Sequence, residues 1–173
     1  GALEPLLSCL EHFHPKVKSA TARSLGQVGD SRAMEPLMIM LADPVHRTPV
    51  RLAVVEALGL LGNTTAVPML LLALGDGSDK VRIEAIQSLG RLKDPRAVPA
   101  LSLLLRENGL ALHIARALMT MGHSEAQPAL IRAIRTPDLS REAREACFTA
   151  LGSLGSKSTV PALTPFLVAE DLE

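Results

Sequence analysis

The stretch Val81-Arg82-Ile83-Glu84-Ala85-Ile86-Gln87-Ser88-Leu89-Gly90, followed after Arg91-Leu92-Lys93 by Asp94-Pro95-Arg96-Ala97-Val98-Pro99-Ala100-Leu101, decides the fold. Val81, Ala85, Leu89 and Leu92 recur at helical spacing and mark one apolar stripe, so the first half reads as an amphipathic helix. Pro99 opens a second helix instead of breaking one, because a proline in the first helical turn lacks only an N–H that would be unpaired there. The same phrase returns along the chain, with Ala66-Val67-Pro68 and Ala126-Gln127-Pro128 as openers and Leu25-Gly26, Leu58-Gly59 and Leu151-Gly152 as closers. A period near thirty residues built of paired helices specifies a stacked solenoid, since no single unit can bury its own apolar face.

Alignment on the small residue at each opening gives Ala2, Ala33, Ala66, Ala97, Ala126 and, as a substitute, Thr159. The second helices are expected from Val17, Val50, Val81, Leu110 and Ala143. Each of these lies 16 residues before the next opening, whereas the interval from first to second helix runs 15, 17, 15, 13 and 17. A second helix and its link to the following unit must keep one register for stacking, while a solvent-facing turn can lengthen freely. The variable turns, expected along one edge, are 11–16, 43–49, 75–80, 106–109 and 136–141.

The expected fold is therefore all-α: a right-handed α-solenoid of five two-helix repeats plus a C-terminal half-repeat, about 11 helices in one domain over 1–173. Repeat boundaries fall at about 2–32, 33–65, 66–96, 97–125 and 126–158, with the half-repeat at 159–169 and an acidic end at Glu170-Asp171-Leu172-Glu173. Apolar residues at both ends suit a segment of a longer array. Thr48, Asn108, Ser140 and either Ser78 or Asp79 are the expected N-caps of second helices. Gly29, Gly62, Gly122 and Gly155 stand where a left-handed C-cap is wanted, and Lys93 in that place makes a less comfortable one.

Composition narrows the function. Lys plus Arg equals Asp plus Glu at 18 each, with both signs interspersed, which argues against a phosphate-binding surface and hence against nucleic acid. Aromatic residues are 2% of the chain against 47% apolar, so the core is aliphatic. The apolar run around Pro68 to Leu74 is far short of the roughly 20 residues that span a bilayer, so neither membrane insertion nor a signal segment is expected. Cys9 and Cys147 match no disulfide framework or metal spacing and suit a reducing, cytoplasmic compartment. No nucleophile elbow, phosphate loop or dinucleotide motif occurs, and no cofactor or metal is expected.

The phrase from Val81 to Gly90 with Asp94 to Leu101 resembles the HEAT-like repeat of the phycobilisome-lyase type, and the resemblance covers essentially the whole chain. It implies paired antiparallel helices stacked into a curved rod with second helices on the concave side. Deoxyhypusine hydroxylases are similar in repeat phrase but place His-Glu dipeptides early in second helices to hold two irons. This chain has no such dipeptide, and the matching places hold Ala20, Ala53, Glu84, His113 and Ala146. HEAT-like DNA glycosylases resemble the fold too, but there is no Trp or Tyr here to stack on a base.

Residues three, six and ten beyond each second-helix start share one helical stripe. On it Arg23, Glu56, Glu84, Gln87, Arg91, His113 and Arg116 form a candidate mixed-charge groove for a protein partner. Lys18, Arg51, Arg82 and Arg144 form another recurring series, expected to pair with acids or turn carbonyls. The functional expectation is a non-catalytic protein-binding scaffold, monomeric by itself, using the concave stripe or the turn edge. The alternative, implied by the resemblance, is a subunit of a bilin lyase or isomerase acting on a phycobiliprotein.

Overall fold

A computed structural model describes residues 3–12 and 14–155, and all regular structure among them is helical. The helices are α1 (Leu3–Cys9), α2 (Pro15–Val28), α3 (Met34–Ala42), α4 (Thr48–Leu60), α5 (Val67–Ala73), α6 (Asp79–Leu92), α7 (Val98–Leu104), α8 (Asn108–Met121), α9 (Gln127–Ile134) and α10 (Arg141–Ser153). Short first helices thus alternate with longer second helices in every repeat. The expected half-repeat at 159–169 lies outside the described residues.

Second helices begin two residues before the expected places, since the apolar pattern marks the first buried side chain and not the first helical one. Pro15 and Pro49 occupy the opening turns of α2 and α4. Thr48 and Asn108 are accordingly the first helical residues, with Arg47 and Glu107 as N-caps, which corrects two of the expected caps. Ser140 does cap α10, accepting from the Ala143 N–H. An unexpected feature is a 3-10 turn before each of α3, α5, α7 and α9: Ser31–Ala33, Thr64–Ala66, Pro95–Ala97 and Ser124–Ala126. The side chains of Asp30 and Asn63 cap the first two of these by accepting from the N–H two residues on. Ala33, Ala66, Ala97 and Ala126 end these turns and are fully buried, which explains why the opening residue is small.

The chain forms two compact units, Gly1–Asp94 and Pro95–Glu173. In the first, α2 packs on α4 and α4 on α6, while α1, α3 and α5 each lie against the second helix of their own repeat. Leu25, Leu37, Leu58, Leu70, Ile86 and Leu89 are completely buried there, and full burial of such a side chain contributes about 1.5–3 kcal/mol. The Leu-Gly closers set the spacing of this layer. A Cβ added at Gly26 would lie 2.7 Å from the Ala57 Cα, and one at Gly59 would lie 2.6 Å from the Ser88 Cβ. Ser88 is itself buried, its hydroxyl donating 3.1 Å to the Val55 carbonyl of the neighbouring helix.

In the second unit α7 pairs with α8 and α9 with α10, and α8 packs on α10. Leu101, Leu105, Ile114, Leu118, Leu130 and Ile134 are its largest fully buried side chains. Gly29, Gly62 and Gly122 take the left-handed conformation expected of them, and Lys93 does so too at φ 53°. Gly155 does not: α10 ends through Leu154 at φ −84°, a right-handed conformation needing no glycine.

Candidate interaction surface

Of the expected stripe residues, two pairs form in the first unit, Arg23 with Glu56 and Arg91 with Glu84. Arg23 Nε of α2 donates to Glu56 Oε2 of α4 at 3.0 Å, crossing from one repeat to the next. Two turns apart on α6, Arg91 Nη1 donates 2.9 Å to Glu84 Oε1 and 3.3 Å to the Ser88 hydroxyl. These pairs are partly solvated, with 45% and 35% of the Arg23 and Glu56 side chains exposed, so each contributes at most about 1 kcal/mol. Opposite charges orient these arginines and carboxylates on a surface that also exposes Gln27 and Leu60. Gln87, which lies between Glu84 and Arg91 in the sequence of α6, is exposed.

His113 and Arg116 belong to the second unit. Arg116 is exposed and lines a groove of about 360 Å³ between α8 and α10 with Leu112, Met119, Glu142, Glu145 and Thr149. Counting along the stripe finds Arg116 and Thr149 but misses Glu142 and Glu145, which come from the neighbouring stripe of α10. His113 is half-buried and does not line this groove.

The recurring cations that follow the second-helix starts bind the variable turns, as their spacing suggests. Arg51 of α4 makes a two-pronged pair with Asp76, Nε to Oδ2 at 2.7 Å and Nη2 to Oδ1 at 2.9 Å, and also donates to the His46 carbonyl. One guanidinium therefore ties the turn of its own repeat to the turn of the next. Asp76 is held below the ordinary carboxylate range chiefly by that Arg51 hydrogen bond, against a smaller upward push from burial. Arg82 donates to the Leu74 carbonyl at 2.9 Å, and Arg144 Nη2 donates to the carbonyls of Thr136, Pro137 and Leu139. Lys18 is different. It stands near His46, and burial, then its positive charge, holds that imidazole below its usual pKa.

Turn residues supply a second candidate surface. A groove of about 480 Å³ in the first unit is lined by His14, Lys16, Ser19, Arg23, Arg47 and Pro49, among others, where α2 and α4 begin. His14, exposed in the turn before α2, caps that helix by accepting from the Lys16 N–H through Nδ1 at 3.2 Å. His12 does likewise for the His14 N–H at 3.0 Å.

The first helices carry one feature that sequence reading passed over. Ile39, Leu72 and Leu103 are 64%, 72% and 78% exposed, each six residues beyond its repeat's opening alanine. The signal was available in that register. Cys147 is buried, which pushes its thiol up to about 11, and Cys9 is half-buried; both are free. No group of three or more His, Cys, Asp or Glu among the described residues could hold a metal ion. No helix among them is long and apolar enough to cross a membrane.

The family model for HEAT repeats matches residues 47–110 and 107–173, and that for the PBS lyase HEAT-like repeat matches 17–43. Among solved structures, the complex of CpcE and CpcF of phycocyanin lyase from Nostoc sp. PCC7120 is similar at 28% identity and TM-score 0.75. The match covers 90% of this chain and 66% of that one, so the chain spans just under two thirds of its length. An engineered protein is similar in fold at 19% identity and TM-score 0.67, covering 95% of this chain and 85% of that one. A designed armadillo repeat protein, YIII(Dq)4CqI, is similar at 17% and 0.63, covering 94% and 87%. No curated protein matches in sequence.

Proposed function

Because this chain belongs to the HEAT-repeat family, we propose that it is a non-catalytic module that binds a protein partner through the second-helix stripe and the adjoining turns. The observation that carries the reading is the mixed-charge surface of the first unit, where Arg23–Glu56 joins α2 to α4 and Arg91–Glu84 pairs on α6, which also carries exposed Gln87. Such a surface presents donors and acceptors at set spacing, which gives an interface specificity more than raw affinity. A second helix of about 14 residues is about 21 Å long, enough to receive a helix or an extended peptide. Arg116 and the groove between α8 and α10 extend the same use to the second unit.

A second reading has its own support. Likeness to the CpcE–CpcF complex over 90% of this chain, at 28% identity, favours a subunit of a bilin lyase or isomerase. In that case the stripe would hold the phycobiliprotein or the other subunit, and the lyase activity would belong to the assembly.

The two readings separate in one set of measurements. Incubation with phycocyanobilin and an apo-phycobiliprotein, alone and with candidate companion subunits, yields a covalent visible chromophore if the protein acts in a lyase. The scaffold reading expects no chromophore transfer and a stable complex with a native partner. Calorimetry against that partner should show at least a tenfold loss for the Gln87→Lys/Arg91→Glu double variant. Unchanged affinity would remove the stripe from the interface.

A further inference from the structure

Most cations of the first unit's second helices are occupied by the fold itself. Arg51 holds Asp76, Arg82 holds the Leu74 carbonyl, Arg91 holds Glu84 and Arg23 holds Glu56. The exceptions are Lys80 at the start of α6, which is exposed, and a group at the start of α2 and α4. Lys16 and Arg47 are exposed there, make no side-chain ion pair or hydrogen bond among the described residues, and line the same groove as Arg23 and His14. Lys18, one turn position further on, is half-buried and likewise has no carboxylate partner. Two carboxylates of the same helices and turns are already engaged: Glu56 with Arg23, and Asp43 with the Val45 N–H and, at 3.9 Å, with His46.

Resting on the protein-binding reading above, we infer that this groove takes an acidic segment of the partner protein, with two or more Asp or Glu side chains reaching Lys16 and Arg47. Charge complementarity selects the occupant. Two cations that line one groove without counter-charges form a local positive field, which attracts and orients a carboxylate-bearing chain. The groove's volume of about 480 Å³ suits a few side chains and not an extended polymer. Its remaining wall of Pro15, Ser19, Ala20 and Pro49 offers methyl and methylene contacts for the stems of Glu residues. A nucleic acid strand is the poorer occupant. It would need a continuous basic face and rings to stack on, while the chain balances 18 cations with 18 anions and contains no Trp or Tyr.

The test uses the whole chain and defined probes. Fluorescence anisotropy is recorded with a fluorescein-labelled (Glu-Glu-Ala-Ala)3 peptide, its Lys-for-Glu counterpart, and labelled (dT)12, at low salt. The acidic peptide should bind saturably, weaken with added salt as exposed charges are screened, and outcompete both other probes. Lys16→Glu/Arg47→Glu should weaken it at least tenfold, and Lys16→Gln/Arg47→Gln should fall between; circular dichroism checks that both are folded. If the Glu variant does not fold, the Gln variant decides. Arg135→Glu, a reversal of an exposed cation in the second unit, should leave binding within twofold. The inference is overturned by absence of saturable binding, by equal affinity for (dT)12, or by groove variants that bind like the wild type. Because Gln87 and Arg91 are untouched in these variants, the groove can fail while the stripe still binds its partner, and the reverse.

Discussion

Gly59→Ala tests the packing logic of the second-helix layer most directly. Alanine is the better helix former by about 1 kcal/mol, so propensity alone predicts a gain. The structure reverses the sign. The new Cβ would stand 2.2 Å from the Ser88 Oγ and 2.6 Å from its Cβ, so Ser88 must turn away or α4 and α6 must separate. Overpacking of this kind costs about 2 kcal/mol. Displacing the Ser88 hydroxyl from the Val55 carbonyl costs about 1 kcal/mol more. The net expectation is destabilisation by about 2 kcal/mol, or a fall in Tm of about 4–8 °C. Gly152, the same closing glycine in α10, meets nothing within 4 Å among the described residues, so Gly152→Ala should stabilise by about 0.5–1 kcal/mol. A rescue makes the argument specific. Ser88→Gly alone should cost about 1.5 kcal/mol, from the lost bond and glycine's entropy. In Gly59→Ala/Ser88→Gly the clash disappears and the lost bond counts once, so the double should cost about 0.5 kcal/mol instead of the additive ~3.5. Urea denaturation of the four variants measures this. A Gly59→Ala protein as stable as Gly152→Ala, or a strictly additive double, would refute the reasoning.

Lys93→Gly should stabilise by about 1 kcal/mol, since Lys93 sits at φ 53° where a side chain is strained; thermal melts should show the increase. Arg51→Ala should cost about 2 kcal/mol in urea unfolding, as the side chains of the Arg51–Asp76 pair are only 21% and 11% exposed, and Arg51→Lys should not restore it. Stability should fall in acid through two windows. His46, whose folded pKa is lowered by burial and Lys18, contributes stability that is lost as pH drops from about 6.5 through its folded value. Asp76, lowered chiefly by Arg51, contributes stability complete above its unfolded pKa of about 4 and lost as pH falls through its folded value, so Asp76→Asn should flatten that window in a urea midpoint series. Cys147, buried and with its thiol pushed up to about 11, should react with a disulfide reagent at pH 8 only at the rate of unfolding.

The repeat phrase made helix pairing and the strain at Lys93 legible, because each follows from local spacing or from a conformation that one residue type tolerates. The site was legible in part. Counting along a helix proposed Arg23, Glu56, Glu84, Gln87 and Arg91 as one stripe, and within it Arg23 pairs with Glu56 and Arg91 with Glu84. Counting could not reveal that Arg23 spends its charge on Glu56, 33 residues away, or that Asp76 clamps Arg51 from the next turn. Those partners come from different repeats, and no local periodicity links them. The caps were missed at Thr48 and Asn108 for a related reason: the apolar pattern reports burial, which begins two residues inside the helix.

The sequence by itself determined that this chain is an all-helical repeat protein, since spacing, proline placement and an aliphatic composition leave paired, stacked helices as the way to bury its apolar stripes. Tertiary structure alone decided which charges are left for a partner. A cation's availability depends on which carboxylate or carbonyl reaches it across neighbouring helices, and that is a distance in space. By that measure Arg51, Arg82 and Arg144 belong to the architecture, and Lys16 and Arg47 stand open.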